Sequence, residues 1–205
     1  MIDKHVGIIN YRCGNIQSIL NTLNFLGVNT RLINSEIDFL HVSHVILPGV
    51  GSLKYCVDNL KASNLLDKLE LNVINHQMPL LGICVGMQMM FSSSEEDGGA
   101  NGLAWFEEKI EKLSTAEGLK VPHVGWNEVN FTNNSSYFTE VQPLDYYFDH
   151  SFALKTSQNI FAKSKHADEF ISAVRRENIL ACQFHPEKSQ ANGIQFLKYF
   201  LEECS

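Results

Sequence analysis

The sequence predicts an α/β domain, a central and mostly parallel sheet flanked by helices, with antiparallel strands in its C-terminal half. Three observations carry this reading. Up to residue 91, short all-apolar runs alternate with stretches of helical period, the sign of strands buried on both faces beneath covering helices. Between residues 105 and 184 the segments shorten and become rich in aromatic and β-branched residues, as in antiparallel hairpins. The 205 residues, 44% hydrophobic and 19% charged, suit one globular domain spanning 1–205.

The N-terminal half opens with "VGII" at 6–9, which reads as a buried strand ending at Asn10. Asn15 then caps a helix with Ile16, Ile19, Leu20, Leu23 and Leu26 at helical spacing, stopped by Gly27. Residues 28–33 alternate like a strand, and 45–49 form another that Pro48 breaks. Residues 53–75 hold one or two helices, with Leu65, Leu66, Leu69, Val73 and Ile74 on one face. "PLLGI" at 79–83 is a short buried strand, and 85–91 continues as helix. The polar, glycine-rich stretch 92–102 is the best candidate for a flexible loop. A turn is expected near Glu177 and Asn178, and a closing helix from Ser189, its cap, to Glu203 with Ile194, Leu197 and Leu201 on one face.

Charge and cysteine usage exclude several classes. A formal charge of −7 repels phosphate backbones, so no nucleic-acid partner is expected. No apolar run approaches the roughly 20 residues of a membrane span, and the first residues lack the features of a secretory leader. Five cysteines without C-x-x-C pairing point to a reducing, cytoplasmic setting rather than a disulfide framework. His41 and His44 have no acid or cysteine nearby to complete a metal set, and read as surface histidines. The aromatic run Tyr146, Tyr147 and Phe148 reads as core strand.

The chemistry gathers around Cys84. Gly82-Ile83-Cys84-Val85-Gly86 has the form of a nucleophile elbow, G-x-S-x-G, with sulfur in place of hydroxyl. A cysteine at a helix N-terminus meets free N–H groups that favour thiolate, and the amide of Val85 can hold an oxyanion. Alone, the motif describes a small buried thiol equally well. The second motif is "QFHPEKS" at 183–189, in which His185 and Glu187 stand two apart and share a side of an extended segment. A carboxylate beside an imidazole fixes its tautomer and stabilises imidazolium.

With these motifs in place, the chain resembles the class I glutamine amidotransferases, and within them the glutaminase subunits of imidazole glycerol phosphate synthase. The resemblance runs through "NYRCGN", "LPGVGS", "GICVGMQMMF", "PHVGWN", "YYFDHSF" and "FHPEKS". It implies the class I glutaminase (flavodoxin-like) fold. It also implies a triad of Cys84 as nucleophile, His185 as general base and acid, and Glu187 as the group that orients the histidine. Val85 matches one oxyanion amide, and the turn of Gly49, Val50 and Gly51 matches the source of the second. Gln88 matches a glutamine-site residue, its alternative being a polar residue on the helix surface. His150, Ser151 and Phe152 match a segment whose backbone holds the amino-acid end of glutamine, the His150 side chain reading as structural.

The resemblance implies hydrolysis of L-glutamine through a cysteinyl thioester, with no metal and no cofactor. It further implies a heterodimer with a (β/α)8-barrel cyclase subunit that takes the ammonia to make imidazole glycerol phosphate in histidine biosynthesis. Asn10, Asn15, Pro122, Trp126, Tyr147 and Lys188 match segments facing that partner. Asn10, Arg12, Cys13 and Asp149 depart from the usual pattern on that presumed side. They leave open a paralogous glutaminase subunit of a nucleotide-sugar amidotransferase for surface polysaccharide. A non-catalytic glutaminase-like regulatory domain is a further alternative, against which all three triad positions are filled. A thiol variant of the α/β-hydrolase fold would place its acid before its histidine, and here the acid comes after.

Overall fold

The computed structural model describes residues 4–117, 119–132, 135–139 and 144–204. In the first half, β1 (His5–Ile9), β2 (Asn29–Ile33), β3 (His44–Leu47) and β4 (Leu80–Ile83) alternate with α1 (Ile16–Phe25), α2 (Leu53–Ala62), α3 (Leu66–Glu70) and α4 (Val85–Gln88). The second half holds β5 (Ser93–Ser94), β6 (Ala100–Asn101), β7 (Lys109–Lys112), β8 (His123–Glu128), β9 (Asn130–Phe131) and α5 (Ser136–Thr139). It continues through β10 (Asp145–His150), β11 (Phe152–Leu154), β12 (Ile160–His166), β13 (Asp168–Arg176), β14 (Ile179–Cys182) and α6 (Gln190–Glu203).

The main sheet runs β2-β1-β3-β4-β14-β13-β11-β7-β5-β6, with β12 and β9 attached beside β13, while β8 and β10 form a separate antiparallel ribbon. β2 through β14 pair in parallel, and beyond β14 the next pairs are antiparallel. The parallel strands are apolar because both faces are covered: β3, β4 and β14 are buried along their whole length. One register decides the site. Cys182 pairs with Ile83, so β4 and β14 end side by side. Cys84 leaves the end of β4 and residues 183–185 leave the end of β14. Both therefore emerge at the same carboxyl edge of the sheet, where open α/β sheets bind ligands.

Several sequence expectations change here. The helix expected over 85–91 is one turn long, because the carbonyls of Met89, Met90 and Phe91 turn aside to accept N–H groups from residues 103, 106 and 104. Past α3 the chain widens into a π-helical turn, Leu71–Asn75, which shifts the apolar face and leaves Ile74 exposed while Val73 stays buried. The stretch 92–102 is a short hairpin, β5 against β6, rather than a free loop. His44 is buried, not on the surface, with Nδ1 bonded to the Ser43 hydroxyl at 2.9 Å and its ring against Phe200. Asn15 and Ser189 sit at cap positions without side-chain cap bonds, and Ile194 is only partly buried. Tyr146 and Phe148 are core residues, as their strand requires.

Candidate active site

Cys84 sits where β4 turns into α4, at φ +54° and ψ −112°, a strained conformation for a residue with a Cβ. Its amide donates to the Cys182 carbonyl at 2.8 Å, so the elbow is tied to β14. The flanking glycines are needed for close approach. A Cβ on Gly86 would lie 2.0 Å from the Leu47 carbonyl oxygen, and one on Gly82 would lie 2.4 Å from the Met90 methyl. Gly49 packs against the Val85 and Gly86 peptide with equal tightness. The turn after β3 is thereby pressed onto the first amides of α4, which as helix-start N–H groups have no intrahelical acceptor. The dipole of a single-turn helix is small, so these local N–H groups, more than a macrodipole, supply the positive field at the sulfur.

His185 comes after β14 in extended conformation, and Glu187 stands in the 3-10 turn Pro186–Lys188 rather than on an extended strand. The turn still brings them together: His185 Nδ1 and Glu187 Oε1 are 2.8 Å apart, with both side chains almost wholly buried. The backbone is pinned on every side. The His185 amide donates to the Tyr147 carbonyl at 2.9 Å, and its own carbonyl accepts the Ser189 hydroxyl at 2.6 Å. The Cys84 sulfur is the largest favourable influence on the charge of the imidazole. Burial opposes a charge on this ring, but the Cys84 sulfur and the Glu187 carboxylate outweigh it and hold its pKa at about 10. The group is an imidazolium at neutral pH, placed against the sulfur.

Cys84 and His185 line a cavity of about 280 Å³ together with Val50, Gly51, Val85, His150 and Ser151, while Glu187 stands behind His185. Pro122 and Lys188, expected at the partner face, line it too. Gly49, Gln88 and Phe152 stand one layer behind. Gln88 is buried rather than on a helix surface, and its amide donates to the Phe152 carbonyl at 3.0 Å and to Gln183 Oε1 at 2.8 Å. Gln183 Nε2 in turn donates to the Cys84 sulfur at 3.6 Å. The His150 side chain is structural, bonded to His123 and to the Phe152 carbonyl. A larger groove of about 710 Å³, between residues 104–108 and 156–159, holds neither cysteine nor histidine.

Sequence reasoning gives no site role to Glu96, Asp149 or Gln183. Glu96 and Asp149 also line the cavity; the Asp149 carbonyl accepts the Cys84 thiol at 3.9 Å, and Glu96 Oε2 accepts the Leu53 amide at 2.7 Å at the start of α2. Burial raises the Glu96 pKa. No local signal marks Glu96, because the β5–β6 hairpin alone carries it there. Gln183 has a signal, its place beside His185 in one motif. Of the residues matched to a partner face, Trp126 is 48% exposed and Lys188 stands 5.1 Å above the Tyr147 ring. Trp126 and Tyr147 pack edge to face at 6.3 Å, and α1, which Asn15 opens, packs on the 186–188 turn. Asn10 is engaged with Asn34 at 2.7 Å. Cys13 is buried, so that departure belongs to the core rather than to a surface.

The family model for class I glutamine amidotransferase matches residues 8–204. The chain belongs to the class I glutamine amidotransferase family. It is 38% identical over 198 residues to the imidazole glycerol phosphate synthase subunit HisH 2 of Vibrio vulnificus (strain YJ016), covering 95% of this chain and 92% of that one. It is 35% identical over 201 residues to the HisH subunit of Leptospira borgpetersenii, covering 95% and 98%. It also matches the chloroplastic hisHF synthase of Arabidopsis thaliana at 35% over 203 residues, which is 97% of this chain and 34% of that protein. Among solved structures, a glutamine amidotransferase superposes with TM-score 0.75 at 17% identity, covering 97% of this chain and 98% of that one, a likeness of fold. No helix among the described residues is long and apolar enough to cross a membrane.

Proposed function

We propose that this class I glutamine amidotransferase hydrolyses L-glutamine at Cys84 and hands the ammonia to a cyclase subunit of (β/α)8-barrel type, which makes imidazole glycerol phosphate in histidine biosynthesis. The observation that carries the chemistry is the contact of Cys84, His185 and Glu187 in one buried cluster at the mouth of a small cavity. The Cys84 thiolate adds to the side-chain amide carbon, and the carbonyl electron pair becomes an oxyanion. The Val85 amide lies on one side of that oxyanion. The Val50 carbonyl accepts the Cys56 thiol at 3.3 Å, and a trans peptide points its N–H the opposite way, so the Gly51 amide faces away from Cys56. When the intermediate collapses, the His185 imidazolium gives its proton to the departing nitrogen, releasing ammonia and leaving a γ-glutamyl thioester. His185, now neutral, takes a proton from water, the hydroxide adds, and the sulfur leaves as thiolate with glutamate formed. Glu187 holds the ring through both steps. Glu96 and Asp149 supply the negative charge that suits the substrate's α-ammonium group.

The names of the relatives support the pathway, and the fused Arabidopsis protein supports a partner. The exposed Val50, Val124 and Trp126 place apolar surface on the turn and strand that border the cavity. All five cysteines are free thiols, as a cytoplasmic protein requires. The test is steady-state glutamine hydrolysis by the wild type and by Cys84→Ala, each alone and with the cyclase subunit and its acceptor ligand. We expect no turnover from Cys84→Ala in either condition, and slow wild-type turnover that the partner raises by about 10²–10³, the worth of one oxyanion donor. Residual turnover in the alanine variant sinks the nucleophile assignment, and equal wild-type rates sink the coupling.

A further inference from the structure

The motif "PHVGWN" holds two residues that the chemistry above does not use, His123 and Asn127. They lie on the inward face of β8, where burial alternates with the exposed Val124, Trp126 and Glu128. His123 pairs across the ribbon with His150 of β10. His123 and His150 are both buried polar side chains, 5% and 6% exposed, so every ring nitrogen needs a partner. His166 stacks on His123 with ring centres 4.2 Å apart, while its own Nε2 is occupied at 2.8 Å by the Lys120 carbonyl. His123 is thus stacked on one imidazole and bonded to the other, and no metal-holding group of three or more ligands occurs among the described residues.

The direction of every hydrogen bond in this cluster can be read from its ends. Asn127 Nδ2 lies 2.9 Å from the Lys165 carbonyl, and the Glu128 amide donates to Asn127 Oδ1 at 2.8 Å. A carbonyl only accepts and an amide N–H only donates, so the Asn127 side chain has one allowed orientation. Its second N–H therefore points at His123 Nε2, 3.2 Å away, which must accept. The proton of neutral His123 is then on Nδ1 and is donated to His150 Nε2 at 3.0 Å. His150 keeps its own proton on Nδ1 and donates it to the Phe152 carbonyl at 2.9 Å. That carbonyl also receives Gln88, whose other N–H goes to Gln183, whose amide reaches the Cys84 sulfur.

We propose that His123 and Asn127 are positioning residues for the glutamine site. Together they lock the His150 ring in one tautomer and so aim the Phe152 carbonyl and the Gln88 amide. This rests on reading the segment 150–152 and Gln88 as the glutamine site. It adds that the glutamine site's geometry is set from the far side of the ribbon, by residues that touch neither substrate nor nucleophile. The neutral state fits the arrangement, in which a proton added to either ring would face another N–H: burial, with the neighbouring histidines, holds the pKa of His123 down at about 4 and that of His150 at about 3.

Two measurements test the proposal. Ring-nitrogen NMR of the intact wild-type protein at pH 7 should show His123 and His150 both protonated at Nδ1 and bare at Nε2. A proton on Nε2 of either ring overturns the proposal, with no variant needed. The second is alkylation of Cys84 by 6-diazo-5-oxo-L-norleucine, a glutamine-shaped electrophile, monitored as rate against concentration. His123→Leu removes the donor while keeping bulk, and His123→Asn returns an N–H near the Nδ1 position. In His123→Leu the half-saturating concentration should rise about tenfold with the limiting rate changed less, and His123→Asn should recover most of that loss. Unchanged half-saturation in a folded His123→Leu protein overturns the positioning role. Failure of the glutamine-site reading would look different, since the wild type itself would then not be labelled at Cys84.

Discussion

His185 is held between two partners that pull in the same direction, a sulfur on one side and a carboxylate on the other, and both favour its charged form. Replacing Glu187 with glutamine keeps an oxygen for the Nδ1 proton but removes the negative charge that stabilises imidazolium. The amide can also turn its NH₂ to the ring and impose the wrong tautomer. Loss of an orienting carboxylate in the analogous serine triad lowers turnover by about 10⁴. We expect Glu187→Gln to lose roughly 10²–10⁴ in turnover at saturating glutamine. His185→Ala should lose more, because no group then carries the proton. The measurement is kcat for both variants across pH. Full turnover in Glu187→Gln beside an inactive His185→Ala would show that the carboxylate only packs.

At the scale of elements, the proposed triad is held by how three segments touch: the turn after β3, the elbow after β4 and the start of α6. The last contact is testable without entering the site. A Cβ on Gly193 would lie 1.8 Å from the Pro186 carbonyl oxygen, in the turn that carries Glu187. The obstacle is backbone, so the helix or the turn must move. Gly193→Ala should destabilise by about 1–3 kcal/mol, as overpacked sites do, and should lower kcat more than it raises KM. Thermal unfolding and kinetics check both, and an unchanged kcat in a stable variant would show that α6 does not position the turn. The same contacts explain which elements are legible in the sequence. The parallel strands are legible because runs such as residues 79–83 are apolar on both faces, and Cys84 and His185 because each stands just past such a run. The truncation of α4 is hidden, since residues 89–91 are apolar and helix-compatible, and only the later segment 103–106 claims their carbonyls. Glu96 is hidden for the same reason, being placed by a hairpin rather than by its neighbours. His44 and Cys13 read as outward residues in the sequence because one polar or reactive side chain says nothing about which helix covers it.

The whole molecule carries eight histidines, and four of them titrate against one another in the stability of the fold. Burial holds His44 and His123 down at about 4 and His150 at about 3, so these rings stay neutral in the native state. Unfolded, each takes up a proton near pH 6.5. Between pH 6.5 and 5 the unfolded chain therefore binds more protons, and stability falls as pH falls, with up to about three protons taken up on unfolding. His185 acts in the opposite sense. Its native pKa of about 10 lies above the unfolded value, so its contribution is complete below about 6.5 and is lost as pH rises toward 10. Because the His185 imidazolium is stabilised by the Cys84 sulfur, its loss is coupled to that group, and the acid side is where the buried histidines read out alone: stability should decline as pH falls below about 6.5. Carboxylates interfere little above pH 5, where Glu96 alone among the shifted acids is raised and would work against the acid limb. Buried thiols, raised at Cys13, Cys56, Cys182 and Cys204, add to the alkaline limb only above about 8.5. Chemical-denaturant midpoints across pH 5–7 should show the acid limb in the wild type. In His123→Asn that limb should lose about one proton of slope. A flat profile from 5 to 7 in the wild type would mean that these rings do not differ between the folded and unfolded chain, and that the stacked cluster does not hold its protons as the geometry requires.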